Sequence, residues 1–230
     1  MFNPLYCTRK ELSDRYRFRC IHRKNGFEHP KCFLERKEQY QEKIAFLDIE
    51  AESLDADFGI VFCWVIKDFA TGKILKDCIT KADMAKGKVS QPHVQPKEDK
   101  RVVDSLLRAI RGFDRVVCHY GCGYDIPFVR TRAVINGLDF PKFGELFQSD
   151  TWMMLKKKFK LSRNSLENGT RTLLGKTRKN RLSLSLRHGC LRGEPWALKY
   201  TLVHCIQDVE DLYDLYCKIN KFSKKTKSSI

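Results

Sequence analysis

Three groups of side chains in this 230-residue chain have types and spacings suited to chemistry. Asp48-Ile49-Glu50 closes the apolar run IAFLDIE at 44–50. Residues i and i+2 of a strand share a face, so both carboxylates would project together at the rim of a core. Two like charges so placed repel unless a cation lies between them, and Mg or Mn with oxygen ligands is the natural one. The alternative is a strand that runs out into solvent. In HYGCGYDIPFV (119–129) an apolar strand enters a glycine-containing turn, and Asp125 stands where a helix begins, a position where Asp also serves as an ordinary N-cap. In the last amphipathic segment His204 precedes Asp208 by four residues, one helical turn on one face. Taken alone, that pair could be a satisfied core histidine and an exposed aspartate.

A different donor set lies near the start. Cys20, His22, His29 and Cys32 place two thiols and two imidazoles within 13 residues. These donors suit tetrahedral zinc, and four protein ligands would close the site as a structural one. Cys7 is a fifth candidate. The segment 1–43 is basic and poor in apolar residues, so it needs such a staple to fold. The alternative is a flexible arm carrying scattered residues. Cys118 and Cys122 straddle the glycine turn and read as packing, while Cys63 and Cys205 sit in apolar patterns and read as core.

The charge points to a polyanion. The chain has 44 Lys and Arg against 28 Asp and Glu, a formal net charge of +16. Residues 156–187 alone hold 11 basic residues and one acidic. Neutralising phosphates releases counterions and dominates affinity for nucleic acid, so this stretch is the expected gripping surface. Lys176, Arg178, Lys179 and Arg181 are its densest cluster. Trp152, Phe159 and Trp196 flank it and could stack on unpaired bases, or serve as core. An apolar fraction of 42% excludes a disordered polycation. The longest apolar run, Phe58 to Ile66, is too short to span a bilayer. MFNPLYCTRK offers no apolar signal core, which predicts a reducing, cytoplasmic setting with free thiols.

The elements that must position these groups follow from periodicity. Strands are predicted at 44–50, 58–66, 72–78 and 114–120, with LDAD as a turn and a loop over 86–98. Val102, Val103, Leu106, Leu107 and Ile110 mark a helix over 99–112, and another should run over 126–136. Shorter helices are expected at 151–159 and 166–174, and a long one at 196–219. The result is a mixed α/β domain over 44–220, a Cys/His element over 1–43 and a basic, flexible tail over 221–230. Glu52, Asp55 and Asp57 read as loop charges, and Glu210, Asp211 and Asp214 as solvating the last helix.

In chain order, FLDIExxxL, YGxxYDIPF and HxxxDVxxLYxLY resemble the three motifs of the DEDD superfamily of 3′–5′ exonucleases. The third motif is most similar to the YprB-like branch, which in turn resembles the proofreading domains of family B DNA polymerases. The resemblance implies a ribonuclease H-like mixed sheet flanked by helices. It implies Asp48, Glu50, Asp125 and Asp208 as ligands of two catalytic Mg or Mn ions, and Leu54 as a wedge against the terminal base. It leaves Asp150-Thr151 as a structural element outside the metal set. The superfamily usually places Tyr four residues, or His five residues, before the last Asp. Here His204 has the tyrosine's spacing with histidine chemistry, which makes it the general base or a poor substitute for one. FEHPKC (27–32) resembles part of a Cys/His knuckle. The implied substrate is DNA or RNA with single-stranded or frayed 3′ ends, and no membrane. Alternatives are a structure-selective endonuclease of the same fold and a nucleic-acid-binding module whose site has decayed.

Overall fold

The computed structural model describes residues 9–19, 22–30, 32–33, 42–86, 97–178, 183–224 and 228–230. Helix α1 (Arg9–Arg17) precedes the sheet. Strands β1 (Ile44–Ala51), β2 (Val61–Asp68) and β3 (Ile74–Cys78) follow, then helices α2 (Lys81–Lys86) and α3 (Lys100–Ile110). Next come β4 (Arg115–Cys118), α4 (Asp125–Ile135), β5 (Phe147–Asp150) and α5 (Thr151–Lys158). Helices α6 (Leu166–Leu174), α7 (Leu184–Leu191) and α8 (Pro195–Ile219) complete the order, with a 3₁₀ turn at Asn220–Phe222. The sheet order is β3-β2-β1-β4-β5. β1 is central, antiparallel to β2 and parallel to β4. The expected mixed sheet flanked by helices is present.

Because β1 is covered on both faces, its residues sort by parity. Ala45, Leu47 and Ile49 enter a core with Val102, Val103, Leu106 and Leu107 of α3 and with Ile126 and Val129 of α4. Ile44 and Phe46 enter the opposite core with Val209, Leu212, Leu215 and Tyr216 of α8. The Phe46 ring meets Tyr213 and Tyr216 edge-on. Asp48 and Glu50 continue that second parity, so the pleat alone sends both carboxylates toward α8.

Several expectations shift. β2 begins at Val61 rather than 58, because Gly59 closes the preceding turn on Asp55 and Phe58 is left exposed. β3 begins at Ile74 because Gly72, at φ +69°, turns the chain first. Helix α7 begins inside the basic segment expected to grip phosphates and runs beyond it: Ser183 caps it, and Leu186 and Cys190 bury beneath it. The end of the segment expected to be a flexible tail is held. Ser228 and Ile230 exchange backbone hydrogen bonds with the Leu146–Gln148 stretch, and Ile230 is buried. The expected loop over 86–98 lies mostly outside the described residues.

The helix expected over 99–112 spans Lys100–Ile110 with Asp99 at its N-cap position, but the Asp99 side chain makes no cap. It turns inward instead to meet Arg132 of α4, Oδ2 to Nε and Oδ1 to Nη2, each at 2.8 Å, with both side chains 0% exposed. Asp99 also accepts from Val61 N and Asn136 Nδ2, and Arg132 donates to Ala56 O. One buried ion pair thereby fastens α4, the start of β2 and the loop after β1 together. Removing one member strands a buried charge, at a cost of ~3–5 kcal/mol. Arg132→Met should lower the thermal midpoint by roughly 6–20 °C, at about 2–4 °C per kcal/mol for a domain of this size. An unchanged midpoint would show that the pair does not fasten these elements.

Candidate active site

The parity of β1 and the stripe of α8 meet at one end of the sheet. Asp48 and Glu50 come from β1. His204 and Asp208 come from the buried stripe of α8, between Thr201 and Val209. Asp125 opens α4, immediately beyond β4 and its turn. His204 Nε2 lies 3.6 Å from Glu50 Oε1 and 3.7 Å from Asp208 Oδ2. One ligand atom from each of Glu50, His204 and Asp208 falls within 4.8 Å of the others. Asp125 Oδ1 accepts from Ile49 N at 3.2 Å, which presses that carboxylate against β1. The Cys205 thiol points at Asp48 O across 3.3 Å and ties β1 to α8. Asp125, His204 and Asp208 are 4%, 4% and 7% exposed, so Asp208 is not the exposed aspartate of the ordinary reading, and the N-cap position of α4 falls to Tyr124 rather than to Asp125.

This crowding has an electrostatic signature. Burial holds the Asp48 carboxyl well above the ordinary carboxylate range, and Asp125, Asp208 and Glu50 push it further. Asp48 Oδ2 is buried with no hydrogen-bond donor. Burial pushes Asp125 up to about 7 against the opposing pull of backbone N–H groups, including that of Ile49. Tyr124 is raised by burial and then by the charges of Asp125, Glu50 and Asp48. Carboxylates that disfavour one another in a buried site, one of them with a donorless oxygen, are a fitting donor set for a hard divalent cation.

The turn that delivers Asp125 is built from Tyr120 at φ +61° and two glycines. A Cβ at Gly121 would stand 2.2 Å from Cys118 Cβ, which leaves no room for a side chain there, and one at Gly123 would stand 2.5 Å from the Tyr120 ring and displace it. Asp150 holds the turn. Its carboxylate caps α5 through Trp152 N and accepts from Tyr120 N, Cys122 N and the Cys122 thiol. His119 is fixed by Thr151 Oγ1 and Asn164 O. Asp150 thus acts as the expected structural element, on its own hydrogen bonds. The Asp-Thr preceding a helical run is the sequence signal for its cap, whereas nothing in the sequence marks its reach back to the turn.

The expected polyanion contacts sort differently. Leu54 is 82% exposed in the loop after β1. Arg178 is committed to the protein's own carboxylates, Asp211 at 2.6 Å and Asp214 at 3.0 Å, and Lys176 pairs with Asp214 at 3.4 Å. Asp211 is buried and also accepts from Thr177 Oγ1 and Arg178 N, so it anchors this segment to α8 rather than solvating the helix. Glu210 pairs with Lys67. Lys179 and Arg181 lie outside the described residues. Trp152 packs edge-on against Tyr120, Phe159 packs against Phe222, and Trp196 is 58% exposed.

Near the start, His22 Nδ1 and His29 Nδ1 are 3.2 Å apart and Cys32 Sγ is 3.9 Å from His22 Nδ1. Cys20 and Cys7 lie outside the described residues. Arg15 packs beside this cluster, donating to Gly26 O and stacking over the Phe33 ring, which also meets Phe18 edge-on.

A family model described as the RNase_H superfamily matches residues 45–220. No curated protein matches the chain. Among solved structures, the chain is similar to the family B DNA polymerase from the hyperthermophilic archaeon Pyrobaculum calidifontis, with a TM-score of 0.58 and 15% identity. The alignment covers 80% of this chain and 25% of that polymerase. At this identity the likeness is one of fold. Among the described residues no helix is long and apolar enough to cross a membrane.

The cost of the crowded carboxylates is measurable. A carboxyl whose folded pKa lies above its unfolded value favours folding when protonated and costs stability as pH rises. At neutral pH Asp48 is therefore a burden without a cation. Asp48→Asn should raise the thermal midpoint in chelator by about 2–4 °C, the shift that ~1 kcal/mol gives, and should reduce the further rise that Mg or Mn gives the wild type. A lower midpoint in chelator would refute the repulsion.

Proposed function

The chain belongs to the RNase_H superfamily, and from that premise we propose that it is a divalent-metal-dependent 3′–5′ exonuclease acting on DNA or RNA. Nucleic-acid hydrolysis is the coarse reading that family and fold support. The observation that carries the finer one is the buried meeting of Asp48 and Glu50 from β1, Asp125 from α4 and Asp208 from α8, with His204 between Glu50 and Asp208.

Asp48, Glu50, Asp125 and Asp208 would hold two Mg or Mn ions. Such ions activate a water and stabilise the departing 3′ oxygen. The chain's own residues do the rest. The carboxylates supply oxygen donors that β1, α4 and α8 hold in place before substrate arrives. His204 Nε2, beside Glu50 and Asp208, is the atom that would take the proton from the attacking water. Leu54, exposed on the loop after β1, would wedge against the terminal base. Arg132 steadies that loop through Ala56 O.

Incubation of 5′-labelled linear and circular single strands of DNA and RNA with Mg or Mn tests this reading. The expected result is a ladder shortening from the 3′ end, lost with chelator and reduced ~10²–10³-fold by Asp208→Ala, as removal of a preorganised charge-stabilising group does. Cut circles would make the protein an endonuclease of the same fold. Binding without cleavage under every metal would make it a module with a decayed site.

We further propose that His22, His29 and Cys32, with Cys20 as the expected fourth ligand, hold one structural zinc. Tetrahedral zinc with bonds of about 2.0–2.1 Å to nitrogen and about 2.3 Å to sulfur separates its ligands by about 3.3 Å for two nitrogens and about 3.6 Å for nitrogen and sulfur. The separations of 3.2 and 3.9 Å fit. Elemental analysis of the purified protein should find about one zinc per chain, and Cys32→Ala should remove it. A chain that is zinc-free after expression in zinc-supplied medium would refute the site.

A further inference from the structure

Of the cations that sequence density singles out, Lys176 and Arg178 are paired with carboxylates, and among the described residues a group of lysines without ion pairs gathers elsewhere. A cavity of about 700 Å³ opens between α5 and the 3₁₀ turn that follows α8. Lys157 and Lys158 line one wall, and Lys221 and Lys224 the other. All four are exposed, and among the described residues none forms an ion pair, in contrast to Lys176 and Arg178. One carboxylate, Asp150, also borders the space. It is committed to the backbone amides of Tyr120, Cys122 and Trp152 and to the Cys122 thiol, so it offers little to the lysines.

Ammonium groups from two separate elements face one space without a counter-charge, and their mutual repulsion is relieved by an anion between them. The space is too large for one phosphate. Part of its remaining lining is apolar: Met153 and Met154 belong to α5, and the Phe222 ring is 53% exposed. Phe159 packs edge-on against that ring, and the Lys221 ammonium stands 5.2 Å from its centroid. Cations beside a part-exposed aromatic ring are a recurrent means of holding unpaired nucleotides, with phosphates on the lysines and a base against the ring once Lys221 turns to a phosphate. Ser223 and Ser228 add hydroxyl donors. Cys122, at the border, belongs to the turn that ends in Asp125, so the cavity adjoins the element that delivers a catalytic carboxylate.

We propose that this groove is a second subsite for a single-stranded polynucleotide, gripping phosphodiesters several nucleotides away from the end in the carboxylate site. The inference deepens the exonuclease reading and rests on it for the direction of the strand. It predicts that long strands gain affinity from the groove and that very short ones, which occupy only the carboxylate site, do not.

The test compares the wild type with a variant carrying Lys157→Ala, Lys158→Ala, Lys221→Ala and Lys224→Ala. Fluorescence anisotropy in chelator measures binding of labelled single strands of about 4 and about 20 nucleotides over a range of salt. With roughly 0.7 units of slope in log K against log salt for each phosphate neutralised on a single strand, the variant's slope for the long strand should fall by about 2–3. Its affinity should drop at least tenfold. Binding and Mg-dependent trimming of the short strand should stay unchanged, and a second variant with Arg at all four positions should restore the long-strand slope. An unchanged slope, or equal losses for both lengths, overturns the subsite. So does displacement of the long strand by inorganic phosphate at concentrations that leave the short strand bound, because the groove would then be a site for a single anion. Wild-type trimming with no effect of the lysines would sink this inference and leave the exonuclease reading standing. Lysine-dependent binding by a protein that never cleaves would sink the exonuclease reading and leave a polynucleotide groove.

Discussion

A central strand buried on both faces has no neutral direction for its side chains. β1 must satisfy one helical layer with Ala45, Leu47 and Ile49 and another with Ile44 and Phe46. A one-residue slip would exchange every side chain between the layers. The register with β2 and β4 is therefore fixed by the burial of five residues before any carboxylate is considered. Asp48 and Glu50 inherit their direction from that register. They face α8 because Phe46 does, and α8 presents His204 and Asp208 because the same helical stripe that buries Val209 and Leu212 passes through them. The site is where two apolar stripes run out of apolar residues together.

Holding like charges at such a junction costs stability, and the surrounding structure contributes fixed contacts that oppose it. Two of these use acidic side chains in opposite ways. Asp99 forms a fully buried pair with Arg132, which secures the helix that starts with Asp125. Asp150 is secured by amides and a thiol, which shape the turn leading into that helix. Asp125 is thus held from both sides of its helix terminus. Neither support meets the site's own charges with a cation of the protein. The site keeps its negative potential, and a metal can use it.

Much of this was legible in the sequence, for a physical reason. Alternation and helical spacing are local, so β1, α3 and α8 could be read from IAFLDIE, from the apolar stripe of 99–112 and from 196–219. The order of the three motifs then pointed to the ribonuclease H-like fold. Long-range partners were not legible. Asp99 opens one expected helix and Arg132 lies within another, and nothing local to either pairs them until the fold brings them together. Arg178 looked free because charge density counts cations without their partners, and Asp211 lies 33 residues away. The strand FQSD and the helix LSLRHGCL were hidden by polar composition. β5 is an edge strand with little apolar burial, and α7 buries only a few residues beneath a basic exterior.

The pairing of Ser228–Ile230 with the stretch that leads into β5 bears on how this sheet behaves in a crowd. An open edge offers unpaired amides and carbonyls to any extended chain nearby, and strand-on-strand growth between copies begins there. Here one rim is occupied by the chain itself: Gln148 donates to Ser228 O, Ile230 donates to Leu146 O, and the Ile230 side chain is tucked inward. The opposite rim, β3, is five residues long, carries Lys76 and Asp77, and is braced by Arg101 through Asp77 and Cys78 O. A short, charged rim and a self-covered one leave little for a second molecule to extend. Residues 228–230 thereby cover an edge that would otherwise be open to strand-on-strand pairing between copies.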